Sequence, residues 1–137
     1  MHPSLLQPKS PSPLRKRSRN NQSLGLYGEN LALTYLISHG FTLVARNVRS
    51  RYGEIDLIVR KDNRIIFAEV KTRIGIKYGS SLDAITSYKL RSLTLASKYY
   101  LLSHPKCSLS PRIDAVCIQM NDDKKIQSVT HIENISG

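Results

Sequence analysis

Apolar residues recur at helical spacing near the start of the chain, in the segment LGLYGENLALTYLISHG. The apolar stripe comprises Leu24, Tyr27, Leu31, Ala32, Tyr35 and Leu36. This spacing predicts an amphipathic helix that begins near Leu24. Gly40 supplies a C-terminal stop, because glycine readily adopts the left-handed conformation in which many helices end.

A β-hairpin is predicted in the middle of the chain. Two runs rich in β-branched residues, 54–60 and 65–71, flank a short polar segment. Within that segment Asp62 and Asn63 are the expected turn residues, because both residue types tolerate positive φ.

The same patterns predict the remaining elements. A helix is expected from about 82 to 102, with Ser80 or Ser81 as its N-cap. Strands are predicted at FTLVARN, before a basic turn with Arg49 and Arg51, and at 113–119 and 126–132. This order of elements predicts an α/β domain whose central mixed sheet is flanked by helices.

The N-terminal segment differs from the rest in composition. Residues 1–23 combine proline, serine and basic residues, which predicts a disordered tail before a domain spanning 24–137. Five of the 21 basic residues lie in this acid-free tail, so 16 basic and 10 acidic residues remain and the domain carries +6 of the net +11. Nucleic acid is therefore the expected partner, although a solvated surface with a basic tail also explains the charge.

Several classes of protein are not expected from this sequence. No apolar run reaches the length of a membrane span, and the N-terminus lacks the apolar core of a secretory signal. Cys107 and Cys117 show no metal-ligand spacing and are too few for a secreted disulfide framework. We expect a cytoplasmic protein without a membrane partner, while the Ser/Arg-rich start also fits an organellar transit peptide in composition.

The predicted hairpin brings charged side chains together. With Asp62-Asn63 as the turn, Asp56 opposes Glu69 and Glu54 opposes Lys71. Side chains alternate along a strand, so these four project from one face. The other face is expected to carry Ile55, Leu57, Val59 and Val70.

Opposed carboxylates destabilise a hairpin, so the Asp56–Glu69 pair requires an explanation. A divalent cation removes the conflict, and Mg²⁺ is typically held by one or two carboxylates. The alternative is a solvated carboxylate pair beside a Glu54–Lys71 ion pair. The apolar run that precedes Glu69 favours the cation, because it argues against a fully wet surface.

Glu29 and Lys89 each have two possible interpretations. Glu29 borders the first helix's apolar stripe and either reaches the same site or is an ordinary boundary residue. Lys89 either leans toward the site or is a boundary lysine with a buried stem. Phosphate contacts are also expected, in preference to a purely solvated face, for the basic residues that flank the site in sequence: Arg46, Arg49, Arg51, Arg73 and Lys77.

A further set of residues is expected to pack rather than to bind. Tyr52, Tyr78 and Tyr88 could stack on bases, but interior packing is the default expectation. Asp114 opens a strand that looks buried, so we expect a structural role for its carboxylate.

Together these residues resemble the active-site motif of a known group of nucleases. Glu29, Asp56 and Glu69-Val70-Lys71 resemble the E…D…ExK site of the restriction-endonuclease-like (PD-(D/E)XK) nucleases, which include archaeal Holliday junction resolvases. The chain is similar to the YraN family of predicted endonucleases through GLYGENLALTYL, LVARNVRSRYGEIDLI, FAEVKTR, Lys89-Leu90-Arg91 and Arg112-Ile113-Asp114. Only the basic tail lies outside the resemblance, and Ile55 replaces the proline of the superfamily name.

The resemblance implies a restriction-endonuclease-like fold and a role for each matching residue. Asp56, Glu69 and the Val70 carbonyl would hold Mg²⁺ or Mn²⁺, with Glu29 contributing through water. Lys71 would orient or deprotonate the attacking water, or stabilise the phosphate oxygens, and Lys89 is a second candidate for phosphate contact.

The function expected from this resemblance is metal-dependent hydrolysis of DNA. Arginine–phosphate contacts without a base-reading element favour branched, flapped or single-stranded substrates over a defined sequence. Two alternatives stay open: a nucleic-acid-binding module without turnover, and an RNA-directed nuclease. Similarity to junction resolvases is also compatible with a symmetric homodimer.

Overall fold

The computed structural model describes residues 19–75 and 85–137. Most of the predicted disordered tail (residues 1–18) lies outside these described ranges, as do Lys77, Tyr78, Ser80 and Ser81. The elements are α1 (Arg19–Ser38), β1 (Thr42–Ser50), β2 (Gly53–Lys61), β3 (Arg64–Ile74), α2 (Ser87–Ser103), β4 (Ser110–Met120) and β5 (Ile126–Ile132).

Two helix starts and one turn differ from the sequence-based expectation. Helix α1 begins at Arg19 rather than near Leu24. Helix α2 is capped by Thr86, whose Oγ1 accepts a hydrogen bond from the Lys89 N–H at 3.0 Å, so the predicted serine cap is wrong. Strand β1 extends through Arg49, which leaves only Arg51 in the basic turn.

The five strands form one mixed sheet in the order β1-β2-β3-β4-β5. Strands β3 and β4 are parallel, and the other neighbours are antiparallel. Parallel neighbours need a crossover connection, and α2 lies in the segment that joins them. This architecture has the predicted mixed sheet with flanking helices and fits the restriction-endonuclease-like fold class.

Each helix covers a different face of the sheet. Ala32 and Leu36 of α1 pack in one buried cluster with Leu57 and Ala68. Leu93 and Ala96 of α2 pack in a second cluster with Ile58 and Phe67, which neighbour those strand residues in sequence. Because successive side chains of a strand point to opposite faces, the two helices sandwich the sheet.

The hairpin has the predicted register. Lys61 pairs with Arg64 and Leu57 with Ala68, and Asp62 in the turn has a φ of 54°. Regular alternation stops at Asp56, however, because Ile55 packs in the α2-side cluster rather than with Leu57. The prediction that both share a face is wrong.

The neighbouring strand is irregular at the same position. Strand β1 pairs Arg46 with Leu57 and Val48 with Ile55, but Asn47 between them is unpaired and has a φ of 52°. Asp56 likewise has no partner in β1, so the two strands lose their regular alternation together at this position.

The structure also bears on the tyrosines that were expected to pack in the interior. Tyr52 is half-buried as expected, but Tyr88 is 75% exposed, so the interior packing predicted for it is wrong. Within the described ranges, no helix is both long and apolar enough to cross a membrane.

Candidate active site

A cavity of about 450 Å³ opens where β2 and β3 stop pairing. Its walls come from both strands, from α1 and from the start of α2. The cavity brings together the four predicted catalytic residues and two further candidates: Glu29, Asp56, Glu69, Lys71, Val70 and Lys89. Residues that are distant in sequence thus converge at one site.

Asp56 is held by the backbone of the opposite strand. Regular pairing ends at Leu57 and Ala68, so the predicted direct opposition of Asp56 and Glu69 in a regular ladder does not form. Instead, the Val70 N–H donates to Asp56 Oδ2 at 2.8 Å. Burial, together with the nearby charge of Glu69, raises the pKa of Asp56 to about 7 despite that hydrogen bond.

Glu69 is a buried carboxylate whose two oxygens have different environments. Its residue is 6% exposed, and its Oε2 lies 3.6 Å from Lys89 Nζ. Its Oε1 is buried without a hydrogen-bond partner among the described residues. Burial raises the pKa of Glu69 above its usual range, although Lys89 and Lys71 act in the opposite direction.

The donor atoms of this cavity fit a hard divalent cation. In the described part of the chain, no three His, Cys, Asp or Glu side chains converge as a ready-made metal cage. The site offers two carboxylates, Asp56 and Glu69, with Val70 beside them. Mg²⁺ accepts such a sparse set because it keeps several waters, and Mn²⁺ favours the same oxygen ligands, whereas structural zinc needs four protein ligands.

Glu29 reaches the cavity because α1 lies close to the sheet. Gly28 faces Thr72 of β3 so closely that a side chain at position 28 would collide with it. The Glu29 carboxylate is then fixed from β1, because Asn47 Nδ2 donates to Glu29 Oε1 at 3.0 Å. Glu29 therefore lines the cavity, and its role there stays a prediction.

Asn47 is the residue that sequence reasoning missed. It combines positive φ with a hydrogen bond to a site carboxylate. Its neighbour Arg46 adds a second link to α1, donating to Asn30 Oδ1 at 2.8 Å and lying 3.9 Å from Glu29 Oε1. The residue type was the available signal, because asparagine is enriched at positive φ, but nothing in the sequence points to this asparagine in particular.

The predicted phosphate-contacting residues do not converge on the cavity. Arg49 Nε lies 3.5 Å from Glu54 Oε2, so Glu54 pairs with β1 rather than with Lys71 as the alternative reading of the hairpin required. Arg51 donates to the Tyr52 hydroxyl at 3.0 Å. Arg73 is half-buried in β3, and among the predicted set within the described ranges only Lys89 lines the cavity.

Comparison with known proteins identifies a family. Residues 28–118 match the model of a family described as "Uncharacterised protein family UPF0102". The chain belongs to the UPF0102 family. Its relatives include UPF0102 proteins of Syntrophomonas wolfei subsp. wolfei, 41% identical over 83% of this chain and 97% of the relative, and of Geobacter metallireducens, 38% identical over 85% and 94%. A UPF0102 protein of Neisseria gonorrhoeae is 40% identical over 87% of this chain and 99% of the relative.

Membership in UPF0102 confirms the resemblance to the YraN family stated from the sequence. The matched segment runs from Gly28 to Ile118 and therefore contains every cavity residue from Glu29 to Lys89.

The UPF0102 segment also contains a second buried acid, Asp114, which does not line the cavity. Asp114 is 0% exposed and accepts hydrogen bonds from Arg112 Nε at 2.8 Å and Nη2 at 2.9 Å. His131 Nε2 lies 2.7 Å from Asp114 Oδ2, and the Asn134 N–H donates at 3.0 Å. Burial alone would raise the pKa of Asp114, but these hydrogen bonds lower it below its usual range. The geometry supports the structural role expected for it.

Proposed function

We propose that this UPF0102 protein is a metal-dependent nuclease that hydrolyses phosphodiester bonds of DNA and selects for structure rather than sequence. The observation that carries the proposal is the buried Oε1 of Glu69, which has no hydrogen-bond partner within residues 19–75 and 85–137, in a cavity that also holds Asp56. Burying an unsatisfied carboxylate oxygen is costly, so its persistence beside a second carboxylate favours a ligand that both can bind.

Asp56, Glu69 and the Val70 carbonyl would hold Mg²⁺ or Mn²⁺. When bound, such an ion lowers the pKa of water and neutralises charge on the scissile phosphate. The hydrogen bond from the Val70 N–H fixes the Asp56 carboxylate before any ligand arrives. A preorganised ligand reduces the entropy that is lost on binding.

The two lysines have different positions and hence different proposed roles. Lys71 is exposed and lines the cavity, where its ammonium orients a water or donates to a phosphate oxygen. Lys89 lies 3.6 Å from Glu69 and compensates part of that buried charge. Glu29, held by Asn47, contributes a third carboxylate that binds water at the cavity.

DNA is the proposed substrate because the chain is strongly basic, and its net charge of +11 favours a polyanion. Branched, flapped and single-stranded DNA are proposed over intact duplex, because contacts to a phosphate backbone carry no sequence information and leave DNA structure as the basis of selection.

The experiment compares cleavage of branched, flapped, single-stranded and linear duplex DNA in Mg²⁺ or Mn²⁺. Wild type is assayed beside Asp56→Asn and Lys71→Ala, with Asp62→Asn as a control at the far end of the same hairpin. We expect cleavage by wild type and the control, and a loss of roughly 100-fold or more in both site variants. Equal cleavage by all four proteins contradicts the proposal, and an RNA substrate tests the RNA-directed alternative.

A second candidate is a nucleic-acid-binding protein that does not turn over. One observation favours it: Lys89 already forms an ion pair with Glu69, so part of the buried charge is compensated without a metal. Calorimetric titration with Mn²⁺ separates the two candidates. Salt-sensitive DNA binding without Mn²⁺ binding supports the second, because phosphate contacts release counterions and need no metal.

A further inference from the structure

Helix α2 is apolar on two sides. Leu93 and Ala96 are buried against the sheet. The opposite side exposes a second set, here called the α2 outer stripe: Tyr88 (75% exposed), Leu95 (41%), Tyr99 (49%) and Leu102 (80%). At 3.6 residues per turn these four lie within about 60° of one another around the helix. A contiguous exposed apolar stripe on a helix is typical of a surface that binds something.

The charge around the stripe indicates which kind of partner fits. Helix α2 contains no acidic residue and carries Lys89, Arg91 and Lys98. Arg91 and Lys98 lie on the same flank of the stripe, about 10 Å apart along the axis. If two copies packed antiparallel through this stripe, these cations would approach those of the other copy, and like-charge juxtaposition is unfavourable. A polyanion gains from the same arrangement.

Helix α2 contributes to both the stripe and the cavity. Thr86 and Lys89 line the cavity, whereas Tyr88 of the same turn belongs to the stripe. At 3.6 residues per turn Tyr88 points about 100° away from Lys89 around the helix, so the stripe is a surface separate from the cavity.

Aromatic and basic groups extend the stripe at Tyr99. The Tyr99 ring centroid lies 5.9 Å from that of Tyr52. The Arg51 guanidinium lies over the Tyr52 ring, 5.1 Å from its centroid. Aromatic rings beside cations are the elements that bind unpaired nucleic-acid strands, because bases stack on the rings while cations contact the phosphates.

We infer that the α2 outer stripe binds an unpaired nucleic-acid strand, with bases stacked on Tyr88 and Tyr99 and phosphates contacting Arg91 and Lys98. Paired bases inside a duplex are not available for this stacking. The inference rests on the proposed function and narrows its substrate class to nucleic acids that contain a single-stranded segment.

The test measures binding by fluorescence anisotropy in EDTA, with a labelled single-stranded oligonucleotide and the matching duplex. Tyr88→Ala and Tyr99→Ala are compared with Tyr88→Phe, which keeps the ring. Tyr27→Ala is the matched control, because Tyr27 is a tyrosine exposed by 46% on α1. We expect roughly tenfold weaker single-strand binding for each stripe alanine variant, near wild-type binding for Tyr88→Phe and Tyr27→Ala, and little change with duplex.

Three other outcomes would overturn the inference. Unchanged single-strand binding in Tyr88→Ala and Tyr99→Ala overturns the inference, and so does an equal loss for single strand and duplex. If wild type sediments as a dimer that Tyr88→Ala dissociates, the stripe is an interface between copies and the inference is also overturned. Because binding is measured without metal, a failure of cleavage contradicts only the proposed function, whereas cleavage with unaltered binding contradicts only this inference.

Discussion

Two groups of carboxylates that lie partly or fully inside this protein have opposite environments. Asp114 is surrounded by donors, from Arg112, His131 and the Asn134 backbone. Asp56 and Glu69 lie near each other, and Glu69 keeps a buried oxygen without a partner among the described residues. The pKa of Asp114 is lowered by its hydrogen bonds, whereas burial raises the pKa of both cavity acids.

The difference separates an acid that stabilises the fold from acids whose environment is unfavourable in the free protein. A buried charge with a complete set of partners ties together the elements that supply them, here β4, β5 and the segment after β5. A buried acid with a missing partner costs stability in the free protein and recovers it on binding. Stability lost at a site in this way is typical of functional positions.

The largest expected effect comes from removing the satisfied acid. Asp114→Ala leaves the mostly buried Arg112 and His131 without their shared partner, so we expect a loss of about 3–5 kcal/mol in the free energy of unfolding. Urea denaturation measures it. Asp123→Ala, at an exposed turn, should change that free energy by less than about 0.5 kcal/mol. Equal losses in the free energy of unfolding for the two variants would contradict the structural role of Asp114.

The second effect follows from the lowered pKa of Asp114. The folded protein keeps this carboxylate ionised at pH values where the unfolded chain begins to protonate it, near 3.8. Its contribution is therefore complete above that value and is lost as pH falls through the lower folded pKa. Unfolding midpoints measured between about pH 2 and 7 should fall more steeply in acid for wild type than for Asp114→Asn. Parallel profiles would contradict the assignment.

Much of the fold could be predicted because its signals are local. Alternation of apolar residues gave the strands, and the Asp62-Asn63 turn set a register that the structure confirms as far as Leu57 and Ala68. The candidate site followed from that register, since it placed Asp56 near Glu69.

The remaining features depend on tertiary contacts that a sequence does not display. The shift of Ile55 to the α2 side accompanies the left-handed Asn47 of the neighbouring strand. Glu54 pairs with Arg49 because β1 lies beside β2, which no local pattern specified. The donors to Asp114 likewise come from distant segments, so its environment could be expected to be buried but not described in detail.

A smaller effect tests the cavity acids. Asp56→Asn removes a half-buried charge near Glu69, and the side-chain carbonyl can still accept from the Val70 N–H. We expect this variant to be more stable than wild type by about 1 kcal/mol in EDTA at neutral pH. Mn²⁺ at about 100 times its Kd should stabilise wild type by about 2.7 kcal/mol and the variant far less. Thermal denaturation with and without Mn²⁺ measures both, and equal stabilisation by the ion would show that it binds elsewhere.

Glu29 is intermediate between Asp114 and the cavity acids, because it has a hydrogen-bond donor in Asn47 yet still lines the cavity. Substitutions of Asn47 test its role and have the smallest expected effect. Asn47→Gly keeps the backbone at positive φ and removes only the hydrogen bond, so we expect a loss of about 0.5–1.5 kcal/mol in the free energy of unfolding. Asn47→Ala adds the strain of a left-handed alanine, about 1 kcal/mol more. If Asn47 positions Glu29, both variants also weaken Mn²⁺ binding by the same factor, since they lose the same hydrogen bond. A loss of stability with unchanged Mn²⁺ affinity would instead place Asn47 with Asp114, among the residues that only hold the fold.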